Sequence, residues 1–434
     1  MEFLNNLVIP QPESNLVLMN WLLILALFVF LIYSGILLGS VMLSLFFKPK
    51  ITEEKHELNY QLSKEFSLLI TSNTYNLMGM GIVPFLSIIL LYTQLLHNAQ
   101  TGVVGYLTVS FLLFLFAVVL IQRYSNSFKL DSIFRKFSKG IDKDDPEYKD
   151  YAEKAAEFKK RAGFWGMIFL FFSLWIFIGS VSLATDQAAW KEFKSVFYIF
   201  AYDAAIVKFL HFMTMSFAIT GISYLYLNLV WNKKDDNDKG FSVYAREINM
   251  KIAMIFILVQ PVFFLVNLLV TPENALNSLV FILALLGIFF VFLTANFLYV
   301  SIKNKTLNYM KYAFILTLLI VGVIAAKEKI SFSVSNQDQI AKLNKEYKQH
   351  HKEFLASLGR TTEEVSGEEI YQRCQACHKD EDTPAAPSHK SVMKKYVGNK
   401  EALMDFIANP VKVDPNYPAM PNQGLKPNEV EAVS

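Results

Sequence analysis

Long apolar runs separated by polar connections dominate the first three quarters of the chain. A bilayer core of about 30 Å is crossed by roughly 20 apolar residues in a helix, so uncharged runs of about that length predict membrane-spanning helices. Eight runs qualify, and the second has a polar start and an internal proline, Pro84, which predict a broken or late-starting helix. The predicted spans are Leu22–Phe47, Thr74–Leu96, Val103–Ile121, Gly163–Ala184, Ala204–Val230, Ile252–Val270, Leu279–Ile302 and Tyr312–Ala326.

The composition agrees with a membrane protein. Hydrophobic residues make up 53% of the 434 positions and charged residues only 18%, whereas about a quarter is charged in soluble domains. No Asp or Glu falls inside the eight runs, and Asp203 stands only at the entrance of the fifth. Since intramembrane carboxylates mark proton and ion paths, the sequence argues against a proton pump or an ion-coupled transporter.

Lysine and arginine residues are concentrated in alternate connections. The connections after the first, third, fifth and seventh spans hold 4, 11, 5 and 3 of them, 23 in all, whereas the other three hold only Lys191 and Lys194. Because positively charged connections stay in the cytoplasm, this contrast places the N-terminus and the segment after the eighth span on the outer face. Residues 1–326 therefore predict a transmembrane domain with its largest cytoplasmic loop at 122–162.

Three polar or aromatic segments outside the spans have a helical pattern. Within the large loop, a helix is expected to begin at Asp144, Asp145 and Pro146, either solvated near the headgroups or docking a partner. An aromatic segment, 190–200, predicts an interfacial helix on the outer side. Residues 327–366 predict a polar spacer, helical from Gln337 to Leu358, and residues 367–434 a separate small domain.

The two cysteines of the chain lie together as Cys374-Gln-Ala-Cys377-His378. This is the attachment pattern of a c-type haem, in which both thiols form thioethers with the vinyl groups and the histidine binds the iron. Two intervening residues on a helical turn set the thiols at the separation of the vinyl groups. A zinc half-site would need further Cys or His ligands, and a redox dithiol would not require the histidine, so both alternatives are weaker.

A haem iron held by His378 needs a ligand on its other face. Met420, in a Pro-Ala-Met-Pro loop, is the expected one, because the prolines stiffen the loop and a thioether opposite histidine raises the reduction potential. His389 and Met393 compete for this role. His389 follows the proximal ligand by only eleven residues, which makes the return around the macrocycle edge tight.

These features together resemble a small class I cytochrome c domain. The motif, the proline-flanked methionine, the Gly367-Glu-Glu-Ile-Tyr approach and the closing Glu429-Val-Glu-Ala-Val segment carry the resemblance over about 68 residues. It departs from the family in the acidic residues that follow Lys379 and in the shortness of its last helix. The resemblance implies a mono-haem electron carrier attached outside the cytoplasm, in agreement with the charge count.

Two histidines suggest a b-type haem inside the bundle. His211 lies in the fifth span and His97 at the end of the second, with Met213 and Met215 as alternative partners, and Lys208 either pairs with a propionate or reaches the interface. The competing interpretation is one buried histidine bonded to a carbonyl and one interfacial histidine.

The membrane part is distantly similar to multispan proteins that end in a c-type domain and to the haem-bearing subunit of bd-type quinol oxidases. The runs Pro84–Gln94 and Phe209–Phe212 carry this similarity. The chain lacks a loop resembling a quinol-binding segment and the axial ligands that three haems would need.

We therefore expect an all-α fold with eight transmembrane helices, a helical spacer and a periplasmic cytochrome c domain in a bacterial inner membrane. The expected function is single-electron transfer within a respiratory or photosynthetic complex, with other subunits and a periplasmic redox partner and without nucleic acid. The alternatives are a quinol:cytochrome c oxidoreductase-like subunit with a b haem or bound quinone, and a haem-based sensor or scaffold.

Overall fold

The computed structural model describes residues 10–47, 56–137, 146–232, 239–357, 366–379 and 386–434. Within these ranges, the regular elements are all helices. The chain divides into two compact units, Met1–Glu346 and Tyr347–Ser434. The boundary between them falls inside the predicted spacer.

The first unit holds the apolar helices. Among the described residues, seven helices (α1 and α3–α8) are long and apolar enough to cross a membrane, which confirms an all-helical protein of the multi-pass type. The eighth predicted span, Tyr312–Ala326, lies within α9. The helices are α1 Glu13–Phe46, α2 His56–Leu68, α3 Thr74–Leu95, α4 Val103–Phe137, α5 Pro146–Ala184, α6 Asp203–Trp231, α7 Lys239–Leu269, α8 Ser278–Lys303 and α9 Met310–Ser335.

The described parts of the predicted loop 122–162, residues 122–137 and 146–162, are helical. α4 has 35 residues and α5 has 39, so at 1.5 Å per residue they are about 52 and 58 Å long and exceed a bilayer core of about 30 Å. The polar first part of α5 is stabilised by ion pairs between residues four positions apart. Lys154 Nζ lies 2.8 Å from a carboxylate oxygen of Asp150, and a guanidinium nitrogen of Arg161 lies 2.6 Å from a carboxylate oxygen of Glu157. Asp144 and Asp145 lie outside the described residues.

Two further expectations are corrected. α3 is not broken at Pro84; it begins at Thr74 and passes through a π-helical stretch, Leu77–Ile82, before the regular helix starts at Val83. The proline occupies the first turn of that regular part, where its missing N–H costs little. The aromatic segment after α5 forms two short 3₁₀ turns, Ala189–Lys191 and Val196–Ala201, instead of one interfacial helix.

α1 packs at the centre of the first unit. Four phenylalanine rings from α1, α3, α4 and α5 meet there, with ring centroids 4.6 to 5.6 Å apart; they are Phe30, Phe85, Phe114 and Phe177. α6 approaches α1 closely at Gly39, where a Cβ atom would lie 2.3 Å from Thr220 Oγ1 and 2.5 Å from the Ser216 carbonyl oxygen. A small residue is therefore required at this crossing.

The predicted spacer is divided between the two units. Its helix is α10, Gln337–Ser357, and the predicted last residue, Leu358, lies outside the described residues. Gln339 and Leu343 are buried in the first unit, and the Gln339 side-chain amide donates to the His97 carbonyl oxygen over 2.7 Å. The first half of this segment is therefore packed structure and not a free spacer.

The second unit is a small helical domain. After α10 it contains α11 Gly367–Gln375, α12 His389–Val392, α13 Lys400–Ala408 and α14 Pro427–Val433. The core of the second unit is small and includes the buried side chains of Ile370, Leu403 and Val430. α11 crosses α14 at Gly367, where a Cβ atom would lie 2.0 Å from the Ala432 carbonyl oxygen.

Candidate functional site

The Cys-x-x-Cys-His motif forms a tight turn at the end of α11. The helix is capped at its start by Ser366, whose hydroxyl accepts from the Glu369 N–H over 3.3 Å. At its end, the backbone N–H groups of Cys377 and His378 both donate to the Cys374 carbonyl oxygen, at 3.2 and 2.9 Å. The two thiols and the imidazole are therefore held within a single helical turn, as the spacing predicts.

His378 is oriented by a backbone carbonyl. Its Nδ1 lies 2.7 Å from the Pro387 carbonyl oxygen. Because a carbonyl oxygen can only accept, Nδ1 carries the proton and Nε2 keeps its lone pair when the ring is neutral. A hydrogen bond of this kind fixes the tautomer and ring orientation of metal-ligating histidines.

His389 lies against His378 in a stack of three rings. The centroids of the two imidazoles are 4.8 Å apart at an interplanar angle of 15°, and the centroid of the Tyr371 ring lies 5.1 Å from that of His389. The Tyr371 hydroxyl is also 3.0 Å from His389 Nδ1. Burial, and then the charge of His378, lower the pKa of His389 below its usual value. His389 thus packs directly on His378 and does not face it across a gap.

A cavity of about 700 Å³ opens beside the motif. This volume is in the range of cofactor and ligand pockets. It is lined by four predicted site residues, Cys374, Cys377, His378 and Met420. His389 and Met393, the competing ligands, are not among its lining residues. The remaining walls are mostly apolar and aromatic, and include Val392, Tyr396, Phe406, Val411, Val413, Tyr417, Pro418 and Pro421.

The charges and thiols of this cavity differ from those of a redox dithiol. Burial raises the pKa of the Cys374 thiol, whereas catalytic dithiols have a lowered one. Arg373, Lys395 and Lys412 also line the cavity, so its rim suits carboxylates of a bound group.

Among the described residues, no cluster of three or more His, Cys, Asp or Glu side chains could hold a metal ion.

The first unit contains a buried ionic cluster that the sequence did not reveal. Lys208 of α6 lies 2.6 Å from Glu328 of α9, and Lys327 lies 2.9 Å from the other oxygen of the same carboxylate. Both lysines are at least 93% buried. The sequence analysis offered two roles for Lys208, reaching the interface or pairing with a haem propionate. Its side chain is instead buried and paired with the Glu328 carboxylate. The sequence signal was a charged Lys-Glu-Lys segment directly after an apolar run.

The two histidines proposed for a b haem line different cavities. His211 borders one of about 70 Å³ and His97 one of about 10 Å³. The first is ten times smaller than the cavity in the second unit, so the residues present do not fit a macrocycle. His211 is instead buried beside Asn267 of α7, whose amide lies 2.5 Å from Nδ1. The simpler interpretation of the sequence was a buried histidine bonded to a carbonyl group. The structure is similar, but the partner of His211 is the side-chain amide of Asn267.

A scan against models of protein families and a search of curated proteins gave no match for this chain. Function is therefore inferred from the geometry of the two cavities and the residues that line them.

Proposed function

We propose that this chain is a membrane-anchored c-type cytochrome that exchanges single electrons through one covalently attached haem. What carries the proposal is the cavity of about 700 Å³ in the second unit, onto which both cysteines, His378 and Met420 open. Its volume suits a macrocycle, and its lining combines two thiols, an oriented imidazole and a thioether. These are the groups that attach and ligate a c-type haem.

Each residue has a defined role in holding the group. Cys374 and Cys377 would attach the haem, and His378 would present the Nε2 lone pair that its bond to Pro387 leaves available. Met420, 42 residues later in the chain, would supply the opposite thioether. The bound haem supplies one-electron redox chemistry, and the apolar walls exclude water and thereby influence its potential.

The presence of Met420 in the cavity favours an electron carrier over a gas sensor. A sensor needs an iron face that stays open to a ligand, whereas a carrier keeps both faces occupied so that electron transfer requires little rearrangement. Met420 and Tyr417 both line the cavity, in a segment stiffened by Pro418 and Pro421. The segment is thus suited to hold a weak ligand in place.

We also propose that the first unit crosses a bacterial inner membrane eight times, with α9 as the last span and the second unit in the periplasm. The seven membrane-capable helices and the 23 against two distribution of basic residues support this orientation. Partners would be further subunits of an electron-transfer complex and a soluble periplasmic redox protein.

The test is covalent haem content. The full chain, expressed with a bacterial cytochrome c attachment system, is expected to retain one haem per chain after denaturation and to give the pyridine haemochrome spectrum of a c-type haem. A Cys374→Ser, Cys377→Ser double variant is expected to lose the covalent haem, whereas Ser391→Ala, at the same cavity, is expected to keep it. A wild-type protein without covalent haem would refute the proposal.

A further inference from the structure

The segment that carries Met420 begins at the end of α13 and forms part of the cavity of the second unit. α13 ends at Ala408, and residues 411–414 and 417–421 line the cavity. Proline restricts the backbone torsion φ, so frequent prolines make a loop stiff. The four prolines of this segment are Pro410, Pro415, Pro418 and Pro421. Residues 409–421 therefore form a stiff loop, which moves as a whole more readily than it rearranges internally.

Asn422 closes this loop with both ends of its side-chain amide. The amide nitrogen donates to the Ala408 carbonyl oxygen over 3.1 Å, and the amide oxygen accepts from the Gly424 N–H over 2.8 Å. Since the last carbonyl groups of a helix have no partner within it, the first bond also satisfies the end of α13. Gly424 has a φ of 62°, which glycine adopts without strain. A carboxylate of the same shape could make only the second bond, because it has no donor.

The bond from Asn422 to Ala408 is the only hydrogen bond that joins residues 410–425 to the rest of the second unit, within the part of the chain that the structure describes. The other bonds of this segment are internal, such as that from the Asn416 N–H to Asp414 Oδ1 over 2.9 Å. Asn422 is exposed, so its bond competes with water and contributes modestly. The position of the loop therefore depends on one bond of moderate strength.

We propose that Asn422 is a positioning residue that keeps the Met420 thioether in place as an axial ligand. The inference rests on the proposed function, since it concerns the second ligand of the haem iron. The bond to Ala408 favours a closed loop, with the thioether on the iron, over an open one. An external ligand binds only the open form, so its apparent affinity is proportional to the open fraction. Loss of one exposed hydrogen bond raises that fraction about fivefold.

The experiment measures the affinity of the oxidised full-length protein, with its haem attached, for imidazole by visible spectroscopy. Asn422→Ala removes both bonds of the side chain, and Asn422→Asp removes only the one to Ala408. Both variants are expected to bind imidazole about fivefold more tightly than wild type. Met420→Ala has no thioether to displace and gives the upper limit of the affinity. Covalent haem content is measured on every sample.

Asn399→Ala is the matched control for general loss of stability. Asn399 caps the start of α13 by accepting from the Ala402 N–H over 3.1 Å, so its loss weakens the second unit without releasing the loop. This variant is expected to bind imidazole as wild type does.

The possible results separate this inference from the proposed function. Wild-type affinity in both Asn422 variants, together with attached haem and tighter binding in Met420→Ala, would overturn the positioning role alone. The same rise in Asn399→Ala as in Asn422→Ala would also overturn it, since stability would then explain the effect. A wild-type protein without covalent haem would instead overturn the proposed function, and the positioning role with it.

Discussion

The imidazole Nδ1 of His378 donates to the carbonyl oxygen of Pro387 over 2.7 Å. The bond joins the motif to the segment nine residues later and leaves Nε2 of this cavity-lining residue without the ring proton. His389, two residues after Pro387, stacks on the same imidazole with the ring centroids 4.8 Å apart.

Met420→Ala is expected to leave the haem covalently attached but to remove its second axial ligand. The reduction potential should then fall, because a thioether opposite histidine raises it, and the reduced protein should bind carbon monoxide. Met393→Ala is the control, since Met393 does not line the cavity. The measurements are the visible spectrum and a redox titration. An unchanged spectrum and potential in Met420→Ala would assign the ligand elsewhere.

The stability of the second unit is expected to fall as the pH drops below about 6.5, the ordinary pKa of histidine. Burial, and then His378, lower the pKa of His389 in the folded state, so the unfolded chain takes up the proton first. The contribution of His389 is therefore complete above about 6.5 and is lost as the pH falls towards the lowered pKa.

His389→Phe keeps a ring in the stack and is expected to weaken this pH dependence. The free energy of unfolding, followed by circular dichroism of the haem band at pH 7.5 and pH 5, measures it. His350→Phe, on the exposed surface of α10, is the control and should behave as wild type does. The same slope in His389→Phe as in wild type would show that another group titrates.

Glu328→Gln is expected to destabilise the first unit by about 3 kcal/mol, because it leaves two buried lysines without a counter-charge. The half-exposed pair Lys342–Glu346, with a 3.9 Å separation, provides the control; Glu346→Gln should cost about 1 kcal/mol or less. Unfolding in detergent, followed by tryptophan fluorescence, measures both. Equal small effects would mean that the buried cluster is already neutral.

Alanine substitutions at two glycines on the same face of α1 are expected to have opposite effects on the stability of the first unit. Gly39→Ala forces a Cβ atom to within 2.5 Å of a backbone carbonyl of α6, so it is expected to destabilise the first unit by about 2 kcal/mol. Gly35→Ala meets only ordinary contacts of 3.5 Å and more, and should stabilise it by about 0.5 kcal/mol through helix propensity. Thermal unfolding compares them directly, and a stable Gly39→Ala protein would contradict this close crossing.

Local patterns predicted most of the helices. α6 and α8 begin and end within one residue of the predicted positions, since apolar length is read directly along the chain. The prediction failed where a helix continued into polar sequence, as α4 and α5 do, because apolar length marks the part inside a membrane and not the end of the hydrogen-bonded helix.

The sequence by itself determined the membrane character, the helical class and the thiol and imidazole groups of the motif, because these depend on composition and on spacings of a few residues. Only the tertiary structure decided which distant residue faces the motif. It placed Met420 and not His389 on the cavity wall, and it joined Lys208 to Glu328 across 120 residues of chain. Such contacts depend on how helices pack against one another, and no local pattern encodes them.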